Sequence, residues 1–219
     1  TVASGAGASA IAIAGAQVTV YQARGGSPRA LAAATSDGDG NFSIGLPAEG
    51  GDGIRYAVAR KGKSIELAAV IGTATPPAIT INEMTTVATG YAMARFFRKG
   101  EIVGKSLPLQ VAAGMAETLV SAQTGLASPV IQASPNADET NTFRSLGTLS
   151  NILAGCVRDS SHACAPLFAL TPAAKGPQPT TTLEAVLNIA RNPTTNVKPL
   201  FALSEPVKAF APYLLEEHG

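Results

Sequence analysis

The chain has 219 residues, of which 46% are hydrophobic, 14% are charged and 5% are aromatic, and its formal net charge is +1. A net charge so close to zero argues against binding to nucleic acid or to an anionic lipid surface. The length allows one or two domains with a sizeable core, built mainly from Ala, Val, Ile and Leu because tryptophan is absent.

No segment has the continuous apolar character of a membrane span. The stretch before Arg24 carries no charge, but it is rich in Gly, Ala and Ser and then alternates like a strand. Neither an initiator Met nor a basic leader precedes it. We therefore interpret the chain as a mature or excised segment, which is compatible with a signal peptide already removed.

The first part of the chain, up to residue 81, has the two-residue alternation of β-strands. Val18 and Val20 face one way, while Thr19 and Tyr21 face the other. Further strands are predicted at 31–35, 41–44, 54–60, 65–71 and 78–81, and the connections between them contain Gly or Pro. Several short strands at this spacing favour a β-sandwich.

After Asn82 the apolar spacing becomes helical. One helix is predicted from Met84 to the Lys99-Gly100 pair, and others at 107–123 and 138–157, with short turns at 197–203. A fourth helix is predicted to begin at Thr181, where Glu184 has the spacing of a capping box, and to end before Pro193.

The two cysteines, Cys156 and Cys164, are separated by a short polar loop. In an exported protein this spacing indicates a local disulfide that joins the end of a helix to the next segment. Such a bond stabilises by roughly 2–3 kcal/mol in the chain-entropy description. The alternative is a pair of reduced cysteines in a cytosolic protein, although the spacing suits no metal or redox motif.

Two stretches near the N-terminus are similar to a known family. The run Gly-Ala-Gln-Val-Thr-Val-Tyr at 15–21 and the run Thr-Ser-Asp-Gly-Asp-Gly-Asn-Phe-Ser-Ile at 35–44 resemble the carboxypeptidase regulatory-like domain, a transthyretin-like β-sandwich. The resemblance covers roughly the first 80 residues. It implies a non-catalytic module that is often attached to another functional domain.

The segments 81–88, 138–142, 151–156 and 187–193, together with Cys164, resemble the Ala-rich helical region that follows such a sandwich in uncharacterised exported bacterial proteins. In those proteins a β-propeller-like region often comes next. We therefore predict an α+β fold in two parts. Residues 1–81 form an antiparallel Ig-like or transthyretin-like β-sandwich, and residues 82–219 form a helical bundle with one disulfide.

A weak calcium candidate lies in the Asp/Gly turn. Asp37, Asp39 and Asn41 alternate as the first ligands of a calcium loop do. Phe42, however, stands where such a loop needs its glycine, and no Glu follows at the closing position. A hairpin turn that brings Phe42 and Ile44 to the core is the favoured interpretation.

No other constellation indicates chemistry. His162 and His218 are the only histidines, and Asp159, Ser160 and Ser161 are sequence neighbours of His162, which is the wrong arrangement for a Ser-His-Asp relay. The glycine pattern at 5–10 lacks the strand and helix of a dinucleotide site. We predict no catalytic residue, no cofactor and no resident metal.

Acidic residues at predicted helix starts and aromatic residues on the first helix have structural interpretations. Glu83, and Asp138 with Glu139, are favoured there by the helix dipole, although two acidic helix starts can also converge on a ligand. The aromatic residues Tyr91, Phe96 and Phe97 are expected in the core, and an exposed Phe97 would mark a contact surface.

These observations predict a non-catalytic, secreted or cell-envelope module that acts in structure or binding, with protein as its partner, either a second copy of the chain or a larger assembly. It would lie in the periplasm, at the cell surface or outside the cell. One alternative is a subunit of a larger extracellular or membrane-associated assembly, such as a filament or an accessory protein. Another is the accessory N-terminal region of an enzyme or β-propeller protein that continues past residue 219.

Overall fold

A computed structural model describes residues 1–47, 52–74, 76–174 and 176–216, and it has a mixed α/β fold with antiparallel sheets. The strands are β1 (Ala3–Ser4), β2 (Ile11–Ala12), β3 (Gln17–Ala23), β4 (Arg29–Thr35), β5 (Ile54–Lys61), β6 (Ile65–Gly72), β7 (Phe97–Arg98), β8 (Glu101–Ile102), β9 (Val120–Ser121) and β10 (Leu126–Ala127). The helices are α1 (Glu83–Met93), α2 (Ser106–Leu119), α3 (Thr142–Arg158), α4 (Cys164–Leu170), α5 (Thr182–Arg191) and α6 (Val197–Ser204).

The main sheet has four antiparallel strands in the order β4-β3-β5-β6. The predicted alternation holds in β3, where Val18 and Val20 are buried and Thr19 and Tyr21 are half-buried. Every residue of β6 is buried, as are the first six of β5. Both faces of these two strands are therefore covered, which explains why they are rich in Ala, Val, Ile and Leu.

The sheet and the helices share their hydrophobic clusters. On one side of the sheet, Val18 and Leu67 belong to the same cluster as Ile152 and Leu200 from the helices. On the other side, strand residues such as Val58 cluster with residues from α2 and α5. The predicted boundary near residue 81 thus marks a change from strand to helix, while each of these two clusters includes side chains from both parts of the chain.

The outer edge of β6 is covered by threonine hydroxyls from α1 and α5. Three amides of β6 that point away from β5 donate to Thr hydroxyl oxygens at 3.0–3.1 Å: Glu66 N to Thr182, Ala68 N to Thr86, and Val70 N to Thr89. Their spacing of two residues is that of the outward-facing groups of an edge strand. These bonds satisfy a sheet edge that would otherwise be buried without partners.

Two predicted strands are absent from the described structure. Residues 41–44 and 78–81 form irregular chain, in which Ile81 makes a single bridge to Val2. Phe42, Ile44 and Ile79 nevertheless pack against the hydrophobic cluster on that face of the sheet. The alternation therefore predicts correctly that these apolar side chains are at least partly buried. The backbone of these segments, however, does not form the hydrogen bonds of a β-strand with a neighbouring strand.

The predicted helix boundaries need correction in three places. Helix α1 ends at Met93 and does not reach Lys99-Gly100. That pair takes φ values of 52° and 81° and closes the hairpin between β7 and β8. Helix α2 ends at Leu119, where β9 begins. Helix α3 begins at Thr142, so Asp138 and Glu139 precede it.

Two helices differ from the prediction of turns and connections. Helix α4 was not predicted, and α6 occupies the region predicted as short turns. Both are short, at seven and eight residues, so their stability depends on packing more than on intrinsic propensity. Leu167 of α4 and Leu200 of α6 supply that packing in the sheet cluster.

The predicted disulfide is present between Cys156 in α3 and Cys164 at the start of α4, with Cα atoms 4.4 Å apart. The capping prediction for α5 is half right: the Thr181 side chain accepts from Glu184 N, but Glu184 accepts from Thr180 N at 2.7 Å. A complete capping box occurs instead at α1, between Asn82 and Thr85. Among the described residues, no helix has both the length and the apolar character needed to cross a membrane.

Candidate functional site

Helix α2 is apolar on two opposite faces. One face packs on the sheet. The other carries Leu107, Val111 and Met115, whose side chains are 70%, 60% and 58% exposed. Their four-residue spacing places them in a row along the helix. We call these three residues the α2 stripe. The buried face consists of Leu109, Ala112, Ala113 and Ala116.

The α2 stripe forms one wall of a groove with a volume of about 730 Å³, which we call the α2 groove. The end of α1 and the turn after it contribute Tyr91, Arg95 and Phe96 to the lining, and α5 contributes Ala190 and Arg191. The groove therefore lies where three helices meet, and most of its lining is apolar.

The aromatic residues of this region divide between core and groove. Phe97 is 3% exposed and packs in the hydrophobic cluster that contains Val58 of β5 and Leu109 of α2, as predicted for a core residue. Phe96 is half-buried, and Tyr91 is 37% exposed. The exposed aromatic residue is therefore Tyr91, one of the three that were expected in the core.

Arg191 holds the two sides of the α1–α5 junction together. Its Nε and Nη2 donate to Ala94 O at 3.1 and 2.7 Å, and Nη2 also donates to Phe97 O at 3.2 Å. These carbonyls lie at and just after the end of α1, where the helix leaves acceptors without helical partners. The guanidinium therefore caps α1 and is fixed at the groove at the same time.

Two glycines make the close packing around the groove possible. A Cβ on Gly90 of α1 would lie 2.2 Å from Val186 Cγ1 of α5, so only glycine allows the helices to approach this closely. A Cβ on Gly104 would lie 2.7 Å from the ring of Phe96.

The hairpin of β7 and β8 is anchored to the sheet by Ile102 N, which donates to Tyr56 Oη at 3.4 Å. Burial raises the pKa of Tyr56 to about 12.

The charged residues lining the α2 groove are both arginines, Arg95 and Arg191. Within the described part of the chain, neither forms an ion pair with a carboxylate. Burial lowers the pKa of Arg191, and the positive charge of Arg98 lowers it further. The site thus combines an apolar surface with positive charge that no acid of the described chain neutralises.

The α2 stripe was not predicted as a site, although the sequence contains its signal. Leu107, Val111 and Met115 follow one face of the predicted helix, while Leu109 and its neighbours follow another. A helix that is apolar on both sides is usually buried on both sides. The pattern therefore predicts burial, and only the placement of neighbouring elements reveals that one side is open.

Glu83 is a fully buried acid at the first turn of α1. Its Oε2 accepts from Gly5 N at 2.9 Å, whereas Oε1 has no hydrogen-bond partner among the residues that the structure describes. Burial raises the pKa of Glu83, and hydrogen bonds from Ser4 and Gly5 oppose that rise. The exposed residues Asp138 and Glu139 do not share this interior site, so the acidic helix starts do not converge.

The N-terminal glycine segment is a structural partner of this acid. Arg158, at the end of α3, donates from Nε to Ser4 Oγ at 3.0 Å and from Nη2 to Ser9 O at 2.6 Å. A Cβ on Gly5 would lie 2.4 Å from the Arg158 guanidinium. Gly5 of this glycine pattern thus allows the close approach of Arg158 and donates its amide to Glu83.

Asp159, Ser161 and His162 form an exposed cluster in the disulfide loop. Asp159 Oδ1 and Ser161 Oγ both lie 2.9 Å from the same ring atom, Nδ1 of His162. In a relay the acid and the nucleophile bind opposite nitrogens of the ring. The hydrogen bonds from Ser161 and His162 lower the pKa of Asp159. His218 lies outside the described residues.

The calcium candidate occupies a turn that the Asp37 side chain stabilises by accepting hydrogen bonds from backbone amides. Asp37 Oδ1 accepts from Asp39 N at 3.0 Å and from Asn41 N at 2.8 Å. These are the bonds with which an Asp side chain stabilises a tight turn. Among the described residues, no three His, Cys, Asp or Glu side chains are grouped as metal ligands would be.

Comparisons of the chain with known protein families, with curated proteins and with solved structures find no match. The resemblance to the carboxypeptidase regulatory-like domain therefore stays a prediction from the quoted motifs.

Proposed function

We propose that this chain is a non-catalytic binding module of an exported protein, and that it holds another protein in the α2 groove. The observation that carries the proposal is the α2 stripe, in which three large apolar side chains are more than half exposed along one helix. Exposed apolar residues that are contiguous and concave are characteristic of interaction sites.

The energetic reason is the burial that a partner would provide. Fully burying a side chain such as Leu, Val or Met contributes about 1.5–3 kcal/mol. Three of them in one row supply a substantial part of the free energy that association requires, before its entropic cost is subtracted. Tyr91 and Phe96, at the opposite wall, add aromatic contact area of the type enriched in interfaces.

Other features support export and binding over catalysis. A disulfide between buried cysteines is compatible with an oxidising compartment. The Asp159–His162 cluster has both partners on one ring nitrogen, an arrangement that does not activate a serine. The buried acid Glu83 is engaged with the backbone of the N-terminal segment.

A peptide selection tests this function directly. A display library of helical peptides, unbiased in charge, would be selected on the wild-type chain, and the binders would be measured against Val111→Asp and Val130→Asp. Val130 is 52% exposed and lies outside the groove lining, so it is a matched control. We expect the groove variant to lose about tenfold or more in affinity and the control to bind like wild type.

Two results would overturn the proposal. One is a set of binders that tolerate Val111→Asp as well as they tolerate Val130→Asp, which would place the binding surface elsewhere. The other is a hydrolytic activity of the purified chain that is abolished by changing a single polar residue, for example Ser161→Ala or Glu83→Gln.

A further inference from the structure

We infer that the partner segment is an acidic amphipathic helix, whose apolar residues contact the α2 stripe and whose carboxylates meet Arg95 and Arg191. This inference rests on the proposed function and names the chemistry of the partner. It follows from the shape of the groove, from its charge, and from what a second copy or a membrane would encounter there.

The shape of the groove favours a helix as its occupant. The α2 stripe extends over nine residues, from Leu107 to Met115, and its ends lie about 12 Å apart along the helix axis. Its apolar positions recur every four residues, so a helix lying beside it would present matching residues at three- and four-residue spacing. The lining residues come from helices and the turn after α1, so the groove offers no strand edge to which an extended peptide could add.

The charge of the groove selects acidic residues in that helix. Arg95 is exposed, and it forms no hydrogen bond or ion pair within the described chain. Arg191 is fixed by the carbonyls of Ala94 and Phe97, which accept hydrogen bonds without neutralising its charge. The positive charge of Arg98 lies close enough to lower the pKa of Arg191, so it adds to the positive potential near the groove. Carboxylates on the partner would relieve this repulsion and form charge-assisted bonds.

A second copy of the chain is a poorer occupant. A two-fold dimer through the α2 groove would place the same surface on both sides of the interface. Both copies would then bring Arg95 and Arg191 into one interface, and the described groove lining of neither copy contains an acid to pair with them. Like charges brought together in this way oppose association.

A membrane surface is also a poorer occupant, because the site is concave. Ala94 and Ala112 belong to the lining but are only 8% and 4% exposed, whereas Leu107 at the rim is 70% exposed. A bilayer contacts protruding residues and cannot follow the groove to its floor. A helix, with side chains about 5–6 Å apart along one face, can reach both.

Two peptide libraries with fixed surface charge test the inference. Both randomise the apolar positions of a helical peptide; one carries Glu at the solvent-facing positions and the other carries Lys. We expect binders from the Glu library, with affinity that falls as salt is raised. Arg95→Glu should weaken them by about tenfold, and a Glu→Lys change in the peptide should restore binding to that variant.

The controls separate this inference from the proposed function. Arg29→Glu reverses an exposed arginine on β4, at the far edge of the sheet, and should leave binding unchanged. Binders from the Lys library, or Glu-library binders indifferent to Arg95→Glu, would overturn the acidic partner. If those binders remained sensitive to Val111→Asp, the groove would still be the binding surface. Binders whose affinity changed with neither Arg95→Glu nor Val111→Asp would overturn both proposals.

Two further measurements cover the other occupants. Cosedimentation with vesicles containing phosphatidylglycerol, abolished by Val111→Asp, would overturn the inference in favour of a membrane surface. A concentration-dependent dimer in analytical ultracentrifugation, also abolished by that change, would overturn it in favour of a second copy. We expect the wild-type chain to be monomeric, to bind the acidic peptides and not to cosediment with the vesicles.

Discussion

Helices α1 and α2 lie side by side and reverse the usual relation between polarity and burial. Helix α1 buries Glu83, Thr85, Thr86 and Thr89, while α2 exposes Leu107, Val111 and Met115. The buried threonines are satisfied because their hydroxyls bond to β6 or to the start of α1 itself. The difference teaches that a polar side chain can be buried where hydrogen-bond partners are available. The polar groups of α1 have such partners within the chain, whereas the apolar side chains of α2 can be covered only by another molecule.

The largest expected effect contrasts a glycine in each helix. Gly90→Ala should destabilise the chain by about 1–3 kcal/mol, because its Cβ would overlap Val186, whose branched side chain has little freedom to move. The added Cβ of Gly114→Ala in α2 meets no atom of the described residues within 4 Å, so this change should stabilise by about 0.5–1 kcal/mol through helix propensity. Urea unfolding of both variants gives the comparison, and a neutral Gly90→Ala would contradict the close packing of α1 on α5.

The next effect contrasts a threonine in each helix. Thr86→Val keeps the side-chain shape but leaves Ala68 N buried without an acceptor, which should cost about 1–3 kcal/mol. Thr118→Val in α2 removes an exposed bond to Gly114 O and should change stability by less than about 0.5 kcal/mol. Equal effects in a denaturant titration would show that the β6 edge does not depend on this hydroxyl.

Glu83 makes the stability of α1 depend on pH. Its folded-state pKa is raised by burial, so above pH 4.5 the folded chain retains a proton that the unfolded chain releases. Stability contributed by this group is therefore complete at low pH and falls as pH rises from 4.5 through the raised folded-state pKa. The unfolding free energy of wild type minus that of Glu83→Gln should decrease across this window. A difference independent of pH would contradict the burial of a titrating carboxyl.

The smallest expected effect on stability is at the α2 stripe. Val111→Asp replaces an exposed residue and should change the unfolding free energy by about 0.5 kcal/mol or less. The melting temperature of Val111→Asp should match that of Val130→Asp. A loss of peptide binding by Val111→Asp can then be attributed to the changed surface and not to unfolding. A large destabilisation by Val111→Asp alone would instead assign the residue to the core.

Several elements could be predicted from local sequence, and others could not. Strands β3, β5 and β6 follow from alternation and turn residues, and the end of α5 follows from Pro193. The segments 41–44 and 78–81 have apolar residues of the right type, but a ladder also requires a neighbouring strand, which local pattern does not report. The helix predicted to reach Gly100 fails for a related reason, since Lys99 and Gly100 form a hairpin turn.

The candidate site was the least predictable part. The sequence predicts core positions for Tyr91, Phe96 and Phe97; Phe97 is buried as predicted, whereas Tyr91 is 37% exposed. The α2 stripe was visible as a second apolar face, but a sequence shows only that a residue is apolar and not which neighbour covers it. The buried acid was predicted as an ordinary helix start, because Gly5 and Arg158 are distant in sequence and meet it only in the fold.

The sequence by itself determined the mixture of antiparallel strands and helices, the pairing of Cys156 with Cys164, and the low charge of the chain. These properties depend on residues that are close together in the chain or on composition alone. Only the tertiary structure decided that Thr86, Thr89 and Thr182 close the β6 edge and that the α2 stripe stays open. The physical reason is that hydrogen-bond satisfaction and solvent exposure depend on elements distant in sequence, whose positions no local pattern contains.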